Sequence, residues 1–292
     1  MRIARIQAES LATPSLALVY DGSFYDVAEL ETRWGGPAAG TIDFHSRVFG
    51  LRGAGLGELA ERLARGERPT EARLAPGSFM TLAPCDPDRA RLFQMAPYDF
   101  ATDWPLFACR EARALVGEQP VLYPPGPETP CCEAGIAAVL GEDLRRASPE
   151  EARAAVFGYC LMIAWTAGLP LWLPQGGGLL PTQLGPQLVT AGELPMLESL
   201  QAELVICERR LPAGTVGEWR FHVAESLSYL SHFVELRAGD VVGAGCLRGG
   251  APEPGAIRFG DGVELTVPRL GTLRGSPLRG PDLGRWRFAA SC

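Results

Sequence analysis

Apolar runs, either alternating with polar residues or uninterrupted, dominate the chain and predict a mostly β protein. Near the N-terminus, IARIQ and LALVYDG are typical of strands joined through a turn at Asp21–Gly22, and SFYDVAEL is predicted to be the next strand. The apolar run CEAGIAAVLG predicts a buried strand that ends in a turn. Residues 200–211, 240–247 and 260–271 each predict one more strand.

Three segments carry helical patterns instead. Residues 55–75 repeat their apolar positions at helical spacing. Ser148 is a predicted helix N-cap, Pro149 suits the first helical position, and the two glutamates that follow suit the first turn. Residues 222–233 predict an amphipathic helix. The Gly- and Pro-rich stretch 169–180 predicts a loop.

The composition of the chain argues against several classes of function. The chain has 292 residues with a net charge of −7, which argues against a nucleic-acid partner. All 27 Lys+Arg residues are arginine, so Schiff-base chemistry and a lysine base are excluded. No run of eighteen apolar residues predicts a membrane span, and the first ten residues lack the apolar core of a signal peptide. We therefore expect a cytoplasmic protein without a membrane partner.

A family resemblance rests on four runs in a fixed order: FGYC (157–160), LGPQLVT (184–190), ELRAGDVVGAGC (235–246) and FGDGVELTVPRLGTLRG (259–275). In order and spacing they resemble the C-terminal half of the fumarylacetoacetate hydrolase family. The resemblance implies an α+β, mostly β fold, with a mixed β-sheet in a large domain at 81–292 and a small N-terminal β domain at 1–80. It also implies cleavage, decarboxylation or isomerisation of small dicarbonyl acids with a divalent metal.

The metal positions that the resemblance implies are mostly lost. The family holds Mg²⁺ or Mn²⁺ with a Glu-x-Glu pair on a strand and an Asp that follows a Gly-Tyr pair. Glu133 matches the first glutamate, Gly135 replaces the second, and Ile163–Ala164 stand where the Asp is expected. The lysine of the Gly-rich loop and the family histidine have no counterpart either. We therefore expect no metal and no other cofactor.

Acid–base chemistry without a metal is one replacement. Glu133, Asp99 and Asp103 are candidate catalytic carboxylates, and Arg110 or Arg248 could hold a substrate carboxylate through a bidentate fork.

Three further residues, Tyr159, Gln183 and Trp165, are predicted to bind the substrate. Thiol chemistry is a second replacement, because Cys246 takes the place of a family threonine and is a candidate catalytic residue, with Cys132 and Cys160 expected near the same pocket.

Two functions of different classes stay open. The first is a divergent enzyme that acts without the usual metal on a small dicarbonyl, 2-oxo or enol-type acid, by C–C cleavage, decarboxylation or isomerisation. The second is a catalytically inactive homologue that serves as a partner subunit or binds a ligand. In either case we expect a homodimer or a heteromer with a related subunit.

Overall fold

The computed structural model describes most of the chain. The described residues are 1–9, 13–36, 43–95, 103–123, 129–167, 180–218, 221–247, 249–250, 252–253 and 255–281. Within them, the α-helices are α1 Val27–Trp34, α2 Leu56–Ala64, α3 Pro149–Ala154 and α4 Val223–Ser231. None of the helices in these ranges is long and apolar enough to span a membrane. The loop predicted at 169–180 falls almost wholly outside them.

Strands make up most of the regular structure. They are β1 Arg2–Ala8, β2 Ser15–Tyr20, β3 Ser23–Asp26, β4 Phe79–Leu82, β5 Leu92–Met95, β6 Phe107–Arg110, β7 Leu115–Val116, β8 Val121–Tyr123, β9 Cys131–Leu140, β10 Val156–Thr166, β11 Thr182–Thr190, β12 Gln201–Ile206, β13 Arg209–Thr215, β14 Val241–Cys246, β15 Val263–Val267, β16 Gly271–Gly275 and β17 Pro277–Arg279. The predicted α+β, mostly β class is confirmed.

A mixed sheet of 11 strands forms the centre, in the order β3-β2-β1-β11-β10-β9-β14-β5-β6, with β4 on β1 and β7 on β11. Most pairs are antiparallel, whereas β14 with β5 and β11 with β7 are parallel. A second sheet of four strands has the order β13-β12-β15-β16, and β17 with β8 forms a ribbon. Because β1 pairs with β11, strands from both sides of residue 80 share the central sheet. The division into domains at residue 80 stays a prediction.

Strand β9 lies in the middle of this sheet and is buried along its whole length. Its side chains point alternately to two apolar clusters. Ala134 and Ile136 belong to one cluster, while Ala137 and Val139 belong to the other. Burial on both faces explains why the sequence here is an uninterrupted apolar run and does not alternate.

Local capping corrects one predicted strand. SFYDVAEL was expected to be extended throughout, but β3 ends at Asp26 and α1 begins at Val27. The Asp26 carboxylate accepts a hydrogen bond from the Glu29 backbone N–H, which caps the helix. At α3 the predicted Ser148 cap is confirmed, because Ser148 and Glu151 form a reciprocal capping box.

The strand predicted at 200–211 is a hairpin. It divides into β12 and β13 around Cys207 and Glu208, whose φ angles of 45° and 67° are left-handed. Two consecutive left-handed residues are the backbone of a tight hairpin turn. Neither Cys207 nor Glu208 is a typical turn residue, so the composition of the segment does not predict a turn here.

A buried carboxylate fixes the turn before β14. Asp240 is 1% exposed. It accepts hydrogen bonds from the Arg91 guanidinium, from the Arg91 backbone N–H at 3.1 Å and from the Arg237 backbone N–H at 2.7 Å. The carboxylate therefore joins the chain before β5 to the chain before β14, which are neighbouring strands of the central sheet.

We expect Asp240→Ala to lower the free energy of unfolding by about 3 kcal/mol, because it leaves buried N–H groups without an acceptor. Urea unfolding measures the change. Asp88→Ala is the control, since Asp88 pairs with Arg113 at 3.3 Å while both side chains are largely exposed, and it should cost less than about 0.5 kcal/mol. Equal costs for the two variants would contradict this role of Asp240.

Candidate functional site

Pairing of β9 with β10 brings the three family ligand positions together. Glu133 lies directly opposite Ala164, and opposed residues of antiparallel strands project to the same face. Gly135 lies two residues further along β9 and so projects to that face too. The resemblance thus aligns its three metal-ligand positions with one patch of the sheet, in which Glu133 alone carries a carboxylate.

Glu133 occupies an environment that disfavours its charge. It is only 8% exposed, and its Oε2 accepts a hydrogen bond of 2.8 Å from Nε2 of Gln94 on β5. Burial raises the pKa of Glu133 to about 7, against the opposing effect of the Arg110 charge. A carboxyl group with a pKa near neutrality can both take up and release a proton under physiological conditions.

Arg110, at the end of β6, is the charged neighbour of Glu133. It is 5% exposed. Its Nε donates to Thr182 Oγ1 at 2.7 Å, and its Nη2 donates to the carbonyl oxygens of Trp165 at 2.9 Å and Leu180 at 3.1 Å. Burial lowers the pKa of Arg110 to about 10, so the guanidinium remains a buried cation at neutral pH. Thr182 lies opposite Ala164 and hence on the Glu133 face.

Three predicted substrate-binding residues lie on the other face of the sheet. Trp165 pairs with Cys132, and Tyr159 pairs with Ala138, one position out of phase with Glu133. Trp165 Nε1 donates to Gln183 Oε1 at 2.8 Å, and Gln183 Nε2 donates to backbone carbonyls, including that of Gly117 at 2.9 Å. These are packing contacts within the core, and a role for Tyr159, Trp165 or Gln183 in substrate binding stays a prediction.

The structure describes only some of the remaining candidate site residues. Asp99 and Arg248 lie outside the described residues, although the neighbours of Arg248 hydrogen bond to the Ala134 backbone beside Glu133. The backbone of Cys246 pairs with that of Gly135. Asp103 is exposed to solvent, unlike Glu133.

Two other thiols lie deep in the core. Cys132 and Cys160 are buried, and burial raises the pKa of both. A raised pKa makes a thiol a poor nucleophile at neutral pH.

Sequence reasoning missed Gln94 and Thr182. Neither belongs to a motif, but Gln94 stands in the run LFQM, of which all four residues are buried. A single amide in a short, otherwise apolar strand is the signal that could have singled it out, because a buried amide needs polar partners.

The residues around Glu133 do not fit a divalent metal. Across the described ranges, no group of three or more His, Cys, Asp or Glu side chains could hold a metal ion. Glu133 has an amide as its hydrogen-bond partner and a guanidinium as its charged neighbour. Mg²⁺ and Mn²⁺ need several oxygen ligands, and a nearby cation opposes the binding of a second one.

Comparison with known proteins bears on this site. A family model, the fumarylacetoacetate (FAA) hydrolase C-terminal domain, matches residues 82–276. 2,4-Didehydro-3-deoxy-L-rhamnonate hydrolase of Sphingomonas sp. is 29% identical over 152 residues, 49% of this chain and 53% of that protein. Oxaloacetate tautomerase YisK of Bacillus subtilis is 31% identical over 149 residues, 48% and 50% of the two chains. The chain thus matches about half the length of these curated relatives.

Solved structures give the same fold over nearly the whole chain. Maleylpyruvate hydrolase from Sphingobium sp. SYK-6, in complex with manganese(II) and pyruvate, has a TM-score of 0.76 at 18% identity, covering 96% of this chain and 100% of that one. 2-Hydroxyhepta-2,4-diene-1,7-dioate isomerase from Mycobacterium marinum has a TM-score of 0.69 at 17% identity, covering 96% and 98%. At such identities the likeness establishes the fold and nothing finer.

The buried carboxyl group predicts a pH dependence of stability. The pKa of Glu133 is raised in the folded state, from 4.5 to about 7, so the folded chain binds the proton more tightly than the unfolded chain. The stabilisation is complete below pH 4.5 and is lost as the pH rises to 7. We expect Glu133→Gln, which cannot ionise, to gain about 2–3 kcal/mol relative to the wild type between pH 5 and pH 8. Urea unfolding at both pH values measures this gain.

The exposed Glu58→Gln serves as the control for that gain and should show none. The same relative stability of Glu133→Gln at pH 5 and at pH 8 would mean that Glu133 is ionised throughout the range.

The strand register predicts how a metal site could be rebuilt. We expect Gly135→Glu combined with Ala164→Asp to bind Mn²⁺, because these changes add two carboxylates to the face that holds Glu133. Titration calorimetry should detect binding in the double variant and none in the wild type. The same double variant with Glu133→Gln should bind more weakly, and a folded double variant without affinity for Mn²⁺ would refute the alignment of these positions.

Proposed function

The chain belongs to the fumarylacetoacetate hydrolase family, and from this premise we propose that it interconverts the keto and enol forms of a small 2-oxo acid by metal-independent proton transfer. Isomerisation is one of the three reactions expected from the sequence, and it demands the least of the site. It needs one group that moves a proton and one positive charge near the oxygen that becomes negative. Glu133 and Arg110 supply that pair.

The observation that carries this proposal is the state of Glu133. A buried carboxyl group whose pKa is about 7 is costly to stability and is the kind of group that enzymes use as a general acid or base. Gln94 orients its carboxylate through a hydrogen bond of 2.8 Å. The proton-transfer atom is therefore fixed in position as well as in acidity.

The reaction follows from this arrangement. Glu133 removes a proton from the carbon next to the carbonyl, the electron pair of that C–H bond forms the C=C bond, and the carbonyl oxygen becomes an enolate oxygen. The Arg110 cation, which donates to the carboxylate of the same substrate, stabilises the negative charge on that neighbouring oxygen through electrostatic attraction. Glu133 then gives the proton that it removed, or one exchanged for it with water, to the oxygen, which completes the enol. The reverse sequence returns the ketone, so no oxidant, reductant or second substrate is required.

The relatives support the choice of substrate class. Their names describe hydrolysis, isomerisation or tautomerisation of small carbonyl acids, including oxaloacetate in one case. C–C cleavage and decarboxylation of such acids release the same kind of enolate, so both stay open for this chain. Which acid is bound, a homodimeric or heteromeric assembly and a cytoplasmic location remain predictions.

Proton NMR of oxaloacetate in D₂O tests the proposed reaction directly, because enolisation exchanges the protons at C3 for deuterium. We expect the wild type to accelerate the exchange equally with EDTA and with Mg²⁺, after subtraction of the uncatalysed rate. Activity lost with EDTA would mean that a metal takes part. Absence of exchange and of decarboxylation in either condition would favour the inactive homologue that acts as a partner or ligand-binding subunit.

The pH profile assigns the base. Because the deprotonated carboxylate removes the proton, kcat/KM for enolisation should rise with pH through about 7 and then level off. Glu133→Gln should lower kcat at least about 100-fold, whereas the exposed Glu58→Gln should match the wild type. A profile that keeps its midpoint in a still-active Glu133→Gln variant would assign the base to another residue.

A further inference from the structure

Two buried polar atoms beside Glu133 have no hydrogen-bond partner in the part of the chain that the structure describes. They are Oε1 of Gln94 and Nη1 of Arg110. Both side chains are more than nine-tenths buried, with exposures of 0% and 5%. An unpaired buried donor or acceptor is costly and uncommon in folded proteins. Gln94 pairs with Ala108 and Arg110 pairs with Leu92, so the two residues are diagonal neighbours on one face of β5 and β6. A single bound molecule that reaches both atoms would complete the structure here.

The existing hydrogen bonds of Gln94 and Arg110 determine which kind of ligand group each unpaired atom can bind. Gln94 uses its Nε2 on Glu133, which leaves an acceptor oxygen that calls for an O–H or N–H donor. Arg110 uses Nε and Nη2 on Thr182 and on two backbone carbonyls, which leaves one donor nitrogen. A bidentate fork from Arg110, one of the two expected from the sequence, is therefore unavailable, since a fork towards a ligand needs two free nitrogens of one guanidinium. The same expectation for Arg248 stays a prediction.

Charge adds a third requirement. The Arg110 guanidinium is a buried cation whose hydrogen-bond partners among the described residues, Thr182 and two backbone carbonyls, are all neutral. An isolated buried charge is strongly disfavoured unless an opposite charge accompanies it. A ligand that supplies an oxyanion to Arg110 removes this penalty, whereas a neutral ligand or a cation leaves it in place.

We propose that Arg110 and Gln94 form a two-point site for a small anion that carries a hydroxyl group next to its oxyanion, with Arg110 Nη1 donating to the oxyanion and Gln94 Oε1 accepting from the hydroxyl. This inference rests on the proposed function and deepens it. An enol of a 2-oxo acid has both groups, while its keto form offers acceptors only. The pair therefore selects the enol, and the guanidinium supplies a positive charge next to the oxyanion.

Binding of three small carboxylates distinguishes the need for an oxyanion from the need for a hydroxyl donor. Glycolate carries the hydroxyl donor, methoxyacetate has an ether oxygen in its place, and acetate has neither. We expect titration calorimetry of the full chain in EDTA to give a Kd for glycolate at least about tenfold lower than that for methoxyacetate, because only glycolate pairs with Gln94 Oε1. Acetate should also bind more weakly than glycolate.

Methoxyacetate is also bulkier than glycolate by one methyl group. Two variants distinguish the effect of this bulk from the loss of the hydrogen bond to Gln94. Gln94→Met keeps a side chain of similar length without the amide, and it should reduce the glycolate preference to about twofold or less. Gln187→Met is the matched control, because Gln187 is another buried glutamine that donates to the Leu270 carbonyl at 3.0 Å in the core. The control should keep the preference even if its stability falls.

A second variant tests the cation. Arg110→Lys keeps the positive charge but loses the planar guanidinium. It should therefore lower the affinity for all three anions by a similar factor and leave the preference for glycolate intact. If this variant does not fold, the comparison of Gln94→Met with Gln187→Met decides the question alone.

Two results would overturn the inference. Equal affinity of the wild type for glycolate and methoxyacetate would mean that ordered water alone satisfies Gln94 Oε1. Absence of binding by any of the three anions, in a protein that exchanges the C3 protons of oxaloacetate, would reject the two-point site while the proposed function stands. The converse, a glycolate preference without proton exchange, would keep the site and reject the reaction.

Discussion

The antiparallel pairing of β9 with β10 is the constraint on which the rest of the molecule depends. These strands occupy the middle of the 11-stranded sheet, and almost every residue of both is buried. Their register places Glu133 opposite Ala164 on one face and Trp165 opposite Cys132 on the other. A slip by one residue would exchange the two faces, so the same hydrophobic pattern that stabilises the sheet also decides which side chains can take part in chemistry.

Burial at this position raises the pKa of Glu133. Water that would solvate a carboxylate is replaced by apolar strand neighbours, and the compensation comes from one amide and one guanidinium. The guanidinium in turn is held by the carbonyl oxygens of Trp165 and Leu180, which flank residues 166–179. The group that tunes the acidity of Glu133 thus also joins the end of β10 to the start of β11. In the proposed site, Arg110 would therefore serve both stability and chemistry, because its removal would leave these two carbonyls without their donor.

Sequence signals succeeded where the cause is local. The turn at Asp21–Gly22 follows from residues that tolerate left-handed backbone, and both adopt it. The strand predicted past Asp26 was wrong because Asp26 caps a helix through the Glu29 N–H, a local signal that competes with the strand-like apolar content of the same segment. Gln94 could not be connected with Glu133 from the sequence, since 39 positions separate them and only the order of strands in the sheet brings them together. The family resemblance located Glu133, but it could not identify Gln94 and Arg110 as its partners.

In the metal-free site that we propose, the charges can balance without a divalent cation. A divalent cation held by three carboxylates leaves one net negative charge, and losing two of the carboxylates would leave the metal with too few ligands and an uncompensated positive charge. Glu133 and Arg110 form a neutral pair when Glu133 is ionised, and a singly positive pair when it is protonated. A bound anion restores neutrality in the second state. In the proposed reaction the site would therefore take up an anion together with a proton, and the protonated carboxyl group would then return its proton to the bound enolate.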